Sequence, residues 1–320
     1  MRNRNFDGIK GYLILMVVVG HIFIEPVHQN TAKQFIYFFH MPLFLAMSGY
    51  FSSTTLFSKK PAAMFRYYWS RMTLPFLISF LVIGTMALLG GRAQLNLNFV
   101  LSPYMHLWYV PALLLFVFYS HLIYRFKLPL GLILTVSAVL AVIDIAKLWP
   151  QLESDYQWLS YLGDKRFYSY YFYFLFGHFI KRHYRKELGI PLFVASLCMI
   201  PVTLGENGIV SHTLFTAIAS LSAKAAIIIM VLVLCEELGN RTNLFASLSK
   251  VGEVSLAIYL WHLLPIIVLK VVLIQIGVTG DTYKALFYGL ATPSLVIFVI
   301  ATTYYQGKFT WLDKLIYGKK

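Results

Sequence analysis

The sequence predicts an all-α polytopic membrane bundle of about ten helices with both termini in the cytoplasm. Composition, the length of the apolar runs and the placement of basic residues carry that expectation. Of 320 residues, 59% are hydrophobic and only 12% charged, beyond the range of ordinary soluble domains. A helix needs about 20 mostly apolar residues to cross a bilayer. On that template the spans fall at roughly 8–26, 34–57, 72–90, 105–124, 129–147, 167–181, 190–205, 212–236, 253–275 and 283–305, the sixth and seventh being short. Lys and Arg gather in alternate connections and at both ends: Arg2, Arg4 and Lys10; Lys59, Lys60, Arg66 and Arg71; Arg125 and Lys127; Lys181, Arg182, Arg185 and Lys186; Arg241 and Lys250; and Lys308, Lys314, Lys319 and Lys320. The intervening segments hold only Lys33, Arg92, Lys147, Lys165 and Arg166. The positive-inside rule then puts both termini in the cytoplasm and requires an even number of spans. The net charge of +14 reports topology, and no nucleic-acid partner is expected.

The chain reads as one integral membrane domain over 1–320, with no appended soluble domain, internal repeat or low-complexity linker. The basic, apolar N-terminus resembles a signal peptide, but no small-x-small cleavage site follows Ile24, so a retained first helix is expected. Cys198 and Cys235 fall in apolar spans without a CxxC pattern and are expected to be inert core residues. The longer outward segments, about Gly91–Pro103 and Trp149–Arg166, have the length to cover part of an outer-face cavity.

Against this background the histidines stand out, because an ionisable group at membrane depth is costly and faces a protein interior or a wet cavity. His21 lies eleven residues beyond Lys10, about 16 Å along a helix. With Lys10 at the cytoplasmic boundary, His21 sits somewhat past the midplane. His40 enters the second span from outside to a similar depth, and His106 opens the fourth span, so the three are expected to converge on one outer-half cavity. A neutral imidazole within hydrogen-bond reach can take the proton of an attacking hydroxyl; the alternative for His21 is an interhelical hydrogen bond without chemistry. Glu25, at i+4, is placed either to orient the ring or as a solvated carboxylate at the helix end. His40 precedes Pro42, which frees backbone groups that need partners, so it either holds substrate or bridges helices. His106 and Trp108 suit an acceptor entrance, although an interfacial aromatic belt accounts for Trp108 as well. The aromatic run Phe167–Phe174 fits the same belt, the alternative being rings presented to a sugar. His262, near mid-span, is open between a chemical and a structural role, while His121, His178 and His183 are read as boundary residues. No histidine cluster has zinc-motif spacing, and no metal is expected. Lys224, deep in the eighth span, requires a polar partner.

Several of these residues fall in motifs spread along the chain. They are Asp7-x-x-Lys10-Gly11 with His21 ten intervening residues later, Phe39-His40-Met41-Pro42-Leu43-Phe44 with Ser48-Gly49-Tyr50, and Arg71-x-x-x-Pro75. His106-Leu107-Trp108-Tyr109, the aromatic sixth span ending near Gly177, and Ser255-x-x-x-Tyr259-x-x-His262 complete the set. In these the chain resembles the acyltransferase-3 superfamily of integral membrane acyltransferases, in particular its fucose 4-O-acetylase-like branch. It departs where many members carry Arg, since Lys10 keeps the charge but loses the bidentate fork. The resemblance implies a bacterial-type cytoplasmic-membrane O-acyltransferase that moves acetyl from cytoplasmic acetyl-CoA, a co-substrate rather than a bound cofactor, to a hydroxyl of a free, lipid-linked or polymeric carbohydrate. The phosphates of the donor call for cations, a role suited to Lys10, Arg66 and Arg71. A transporter or flippase for a glycolipid or polysaccharide unit, with the histidines as a proton relay, is the competing expectation.

Overall fold

The computed structural model describes residues 4–91, 94, 99, 106–183, 214–238 and 248–319. Among the described residues every regular element is a helix. Among the described residues five helices are long and apolar enough to cross a membrane: Arg4–Ile22, Pro61–Leu89, Leu214–Glu236, Ser255–Gln275 and Gly280–Tyr305. A sixth arises if Leu130–Ile145 and Trp149–Asp155, which meet at 93°, form one broken span. Tyr109–Arg125 is apolar but shorter. The expected span at 190–205 lies outside the described residues. Leu81, Leu132, Val139, Ile297 and Ile300 remain exposed on the helices, a surface suited to hydrocarbon rather than water. The protein is therefore an integral membrane protein, all-helical among the described residues.

The chain gathers into two compact units, one of Met1–His40, Trp69–Met86 and Glu237–Lys320, the other of Met41–Tyr68 and Ala87–Glu236. In the first, the Arg4–Ile22 helix crosses the short Ser249–Glu253 helix at backbone contact. A Cβ on Gly11 would collide with the Leu248 carbonyl, and one on Gly252 with the Asp7 carbonyl. Small residues at a crossing let two helix backbones touch where hydrocarbon supplies no hydrophobic drive.

Arg66 and Arg71, expected in a connection, instead lie within the continuous Pro61–Leu89 helix, which takes a π-helical turn at Trp69–Thr73. Proline explains that turn. Pro75 has no N–H for the carbonyl four residues back, and its ring crowds that carbonyl, which belongs to Arg71. A π turn relieves the crowding and is frequent at functional sites. Gly318, at φ +65°, lies so close to the same carbonyl that a Cβ would overlap it. The segment after the last long helix is also pinned by the Tyr317 hydroxyl, which donates to Thr302 O at 2.6 Å.

The second unit has its own glycine crossing. A Cβ on Gly49 would strike the Phe174 carbonyl and one on Gly177 the Ala46 carbonyl, so residues 41–51 and the Tyr171–His183 helix meet backbone to backbone. His178, read as a boundary residue, is instead buried beside this crossing. Its Nδ1 lies 3.2 Å from Ser52 Oγ and its Nε2 2.8 Å from Tyr124 OH. His121 is likewise buried, with Nδ1 donating to Phe57 O at 2.7 Å. The sequence reading rested on their position towards the cytoplasmic ends of spans; in the fold each is a packed tie between segments.

Candidate active site

The Arg4–Ile22 helix stops one residue after His21, leaving that ring in the last turn. There the negative end of the helix dipole favours positive charge on a side chain. The ring is half-buried, with its centroid 5.0 Å from that of His262 at an interplanar angle of 47° and 6.1 Å from that of Tyr37. Tyr37 in turn meets His40 at 5.1 Å. His21, Tyr37, His40 and His262 thus form a chain of rings within the first unit, on three separate helical segments. His106 belongs to the second unit.

Two of these rings have a defined tautomer. His262 is completely buried and its Nδ1 lies 2.8 Å from Tyr259 O and 3.1 Å from Ile258 O. His40 is also buried, with Nδ1 2.5 Å from Ile36 O. A carbonyl only accepts, so Nδ1 carries the proton in each case, and in the neutral ring Nε2 is then the acceptor nitrogen.

The chain that leaves His21 is held by residues without a short-range sequence signal. Because the helix ends at Ile22, Glu25 does not sit on a continuous helical face with His21. Its carboxylate accepts from the Tyr288 hydroxyl at 2.7 Å, and the Ile24 N–H donates to the same phenol oxygen at 3.2 Å. Lys33 Nζ donates to Phe23 O at 3.1 Å and to Glu25 O at 2.9 Å. The Tyr288 bond, chiefly, holds the Glu25 carboxyl below the usual glutamate range. Any orienting action of Glu25 on His21 therefore runs through this clasped backbone.

Lys10 forms an ion pair with buried Asp7 at 3.6 Å, which accounts for the Asp7-x-x-Lys10 spacing as an i,i+3 pair on one helix face. Arg71 is exposed on the π turn, and Arg66 is exposed on the preceding helix, within the second unit. His106 and Trp108 are both buried in that unit. The Arg166 guanidinium lies 4.5 Å from the Trp108 ring, Tyr170 meets it edge-on at 5.3 Å, and Arg166 Nε donates to Asp164 Oδ1 at 2.8 Å. Lys224 has the opposite charge it requires in Asp144, which also pairs with Lys165 at 2.6 Å and accepts from Ser169 Oγ at 3.2 Å.

Ionisable rings gathered among apolar helices are a feature that membrane transferases and membrane transporters share. The sequence separates the two. The profile of the acyltransferase domain matches residues 3–305, and the chain belongs to the acyltransferase-3 family. Over a short stretch it is similar to two proteins named nodulation protein NolL. One, from Sinorhizobium fredii (strain NBRC 101917 / NGR234), is 44% identical over 62 residues, 17% of either chain. The other, from Mesorhizobium japonicum (strain LMG 29417 / CECT 9101 / MAFF 303099), is 42% identical over 65 residues, 18% of this chain and 17% of the relative. The match thus spans under a fifth of the length of these relatives. No solved structure matches the chain.

Proposed function

We propose that this membrane acyltransferase moves an acetyl group from cytoplasmic acetyl-CoA to a hydroxyl of an exported or surface carbohydrate, with His21 as general base. The observation that carries the reading is the placement of half-buried His21 at the end of its helix, against the buried ring of His262. In the reaction, a neutral ring nitrogen of His21 takes the proton of the sugar hydroxyl as its oxygen attacks the thioester carbon. The tetrahedral intermediate collapses with cleavage of the C–S bond, and the imidazolium returns the proton to the departing thiolate, giving the ester and free CoA. The helix dipole stabilises the imidazolium while it exists, and general-base assistance of this kind contributes about 10²–10⁴-fold.

The remaining roles follow from chemistry at each position. Lys10, Arg66 and Arg71 supply cations for the phosphates of the donor. His40, with Nδ1 committed to its own helix, presents an acceptor nitrogen that receives a substrate hydroxyl. His106 and Trp108 contact the acceptor, and Glu25 helps to fix the chain that carries His21. The reading includes ten spans, both termini in the cytoplasm and residence in a bacterial-type inner membrane, which brings acetyl-CoA to the basic side.

Mass spectrometry of surface and lipid-linked glycans tests it, using cells with the intact protein, with His21→Ala, or with no copy. An acetyl increment present only with the intact protein is expected. Equal modification in all three, with surface export lost in the null cells, would replace the transferase with the transporter.

A further inference from the structure

The residues after the last long helix fold back onto the π turn that carries Arg71, and nothing so far gives that contact a purpose. We propose that Lys319 joins Arg71 in a phosphate site, so that one phosphate group of the donor is held between an ammonium and a guanidinium. The inference rests on the donor-binding reading of Arg71 above.

The geometry starts from the short Thr310–Leu315 helix, which follows the last long one. Its Asp313 gathers the chain on both sides: the carboxylate accepts from the Gly307 N–H at 3.0 Å, and the backbone carbonyl accepts from the Lys319 N–H at 2.7 Å. The Tyr317 hydroxyl ties the same stretch to the Thr302 carbonyl at 2.6 Å. Between these anchors Gly318, at φ +65°, is buried against Arg71. A Cβ built on it would overlap the Arg71 carbonyl and lie 3.0 Å from Arg71 Cα, an approach open only to a residue without a side chain. With a Cα–Cβ bond of about 1.5 Å and a step of about 3.8 Å between successive Cα atoms, Lys319 Cα lies within about 8.5 Å of Arg71 Cα. All of these residues belong to the first unit.

Both side chains are exposed, and at that separation two long cationic side chains close over a single phosphate. Their chemistry is complementary, since the guanidinium offers a planar fork and the ammonium a compact point charge. The nearby carboxylate does not compete, because Asp313 is engaged by the Gly307 N–H. A lysine that only marked topology would need no such seat. The positive-inside rule asks for charge near the end of a span, not for a fixed distance from Arg71. A π turn, frequent at functional sites, and a left-handed glycine instead meet at one point and hold the two cations in register. Tyr317 is then a positioning residue that acts through this contact.

Binding of radiolabelled acetyl-CoA to the full chain tests this, in lipid nanodiscs of phosphatidylcholine, which has no net charge, and of anionic phosphatidylglycerol. Lys319→Ala is expected to raise Kd about tenfold in both, and Lys319→Glu about 100-fold, since it replaces attraction by repulsion. Lys319→Arg keeps the charge and is expected to stay within about threefold of the parent. Tyr317→Phe leaves every cation in place but loosens the anchor, and is expected to weaken binding about threefold. An unchanged Kd in Lys319→Ala, or a loss in Lys319→Arg as large as in Lys319→Ala, would overturn the proposal. A loss confined to phosphatidylglycerol would give Lys319 to a lipid headgroup and overturn its donor role. The parent reading fails separately, by the absence of saturable binding in the unsubstituted protein or by a Kd that Arg71→Ala does not move; binding that depends on Arg71 but not on Lys319 defeats this inference alone.

Discussion

The two units each bury histidines, and they use them in opposite ways. In the second, His178 has both ring nitrogens engaged, by Ser52 and by Tyr124, and the Tyr124 hydroxyl also accepts from Arg182 at 2.5 Å. Nothing on that ring is left for a substrate. In the first, His40 and His262 each commit one nitrogen to a backbone carbonyl of their own helix, and His21 stands between His262 and Tyr37 at a helix end. A buried histidine is thus no site by itself. On the proposed reading, what separates the two is whether the ring ties segments together, as His178 does, or lies against the proposed base, as His262 does.

The strongest way to break the contrast is to dismantle the second unit. Gly177→Val is expected to destabilise by about 3 kcal/mol or more, because its side chain has no room against the Ala46 carbonyl; the yield of folded protein in detergent reports this. A milder change should spare the chemistry. His178→Ala is expected to cost roughly 2 kcal/mol, through the unpaired hydroxyls it leaves behind, and to lower the thermal midpoint without changing turnover per folded molecule.

Within the first unit the effects pass from stability to binding. Gly318→Ala combines an unfavourable positive φ with a clash against the Arg71 carbonyl, so the π turn that carries Arg71 must shift. KM for acetyl-CoA is expected to rise about tenfold with kcat little changed, a cost of about 1.4 kcal/mol; an unaltered KM would detach Arg71 from donor binding. The smallest effect belongs to the clasp beyond His21. Tyr288→Phe removes one hydrogen bond from Glu25 and is expected to slow turnover about threefold. Because the folded-state pKa of Glu25 is lowered, the clasp is fully present above the ordinary glutamate value of about 4.3 and is lost only as pH falls through the lower folded value. The penalty of Tyr288→Phe should therefore be the same at pH 8 and pH 5.5, and a penalty that changes across that interval would contradict the assignment.

Much of the helical architecture was legible because a bilayer enforces long apolar runs. The motif glycines and Pro75 stood in the sequence only as members of a pattern, and their geometry came with the fold: Gly11, Gly49 and Gly177 mark backbone crossings, and Pro75 marks the turn at Arg71. Charge was less faithful. Arg66 and Arg71 looked like a loop because basic residues usually end spans, yet the helix runs through them. The meeting of His21 with His262, and of Glu25 with Tyr288 at a sequence separation of 263, had no local signature, since partners on different helices are chosen by packing. His40 could be singled out by its depth and its Pro42 neighbour, but its tautomer depends on a carbonyl one turn away, which only the folded helix brings to Nδ1.

Comparing His21→Ala and His178→Ala in the same membranes tests the central claim most directly. The readout is the initial rate of radiolabelled acetyl transfer into glycan per folded molecule. The first variant is expected to fall about 10³-fold while still binding acetyl-CoA, and the second to keep the parent rate. Equal rates in the two variants, or loss confined to His178→Ala, would contradict the assignment of the chemistry to the first unit.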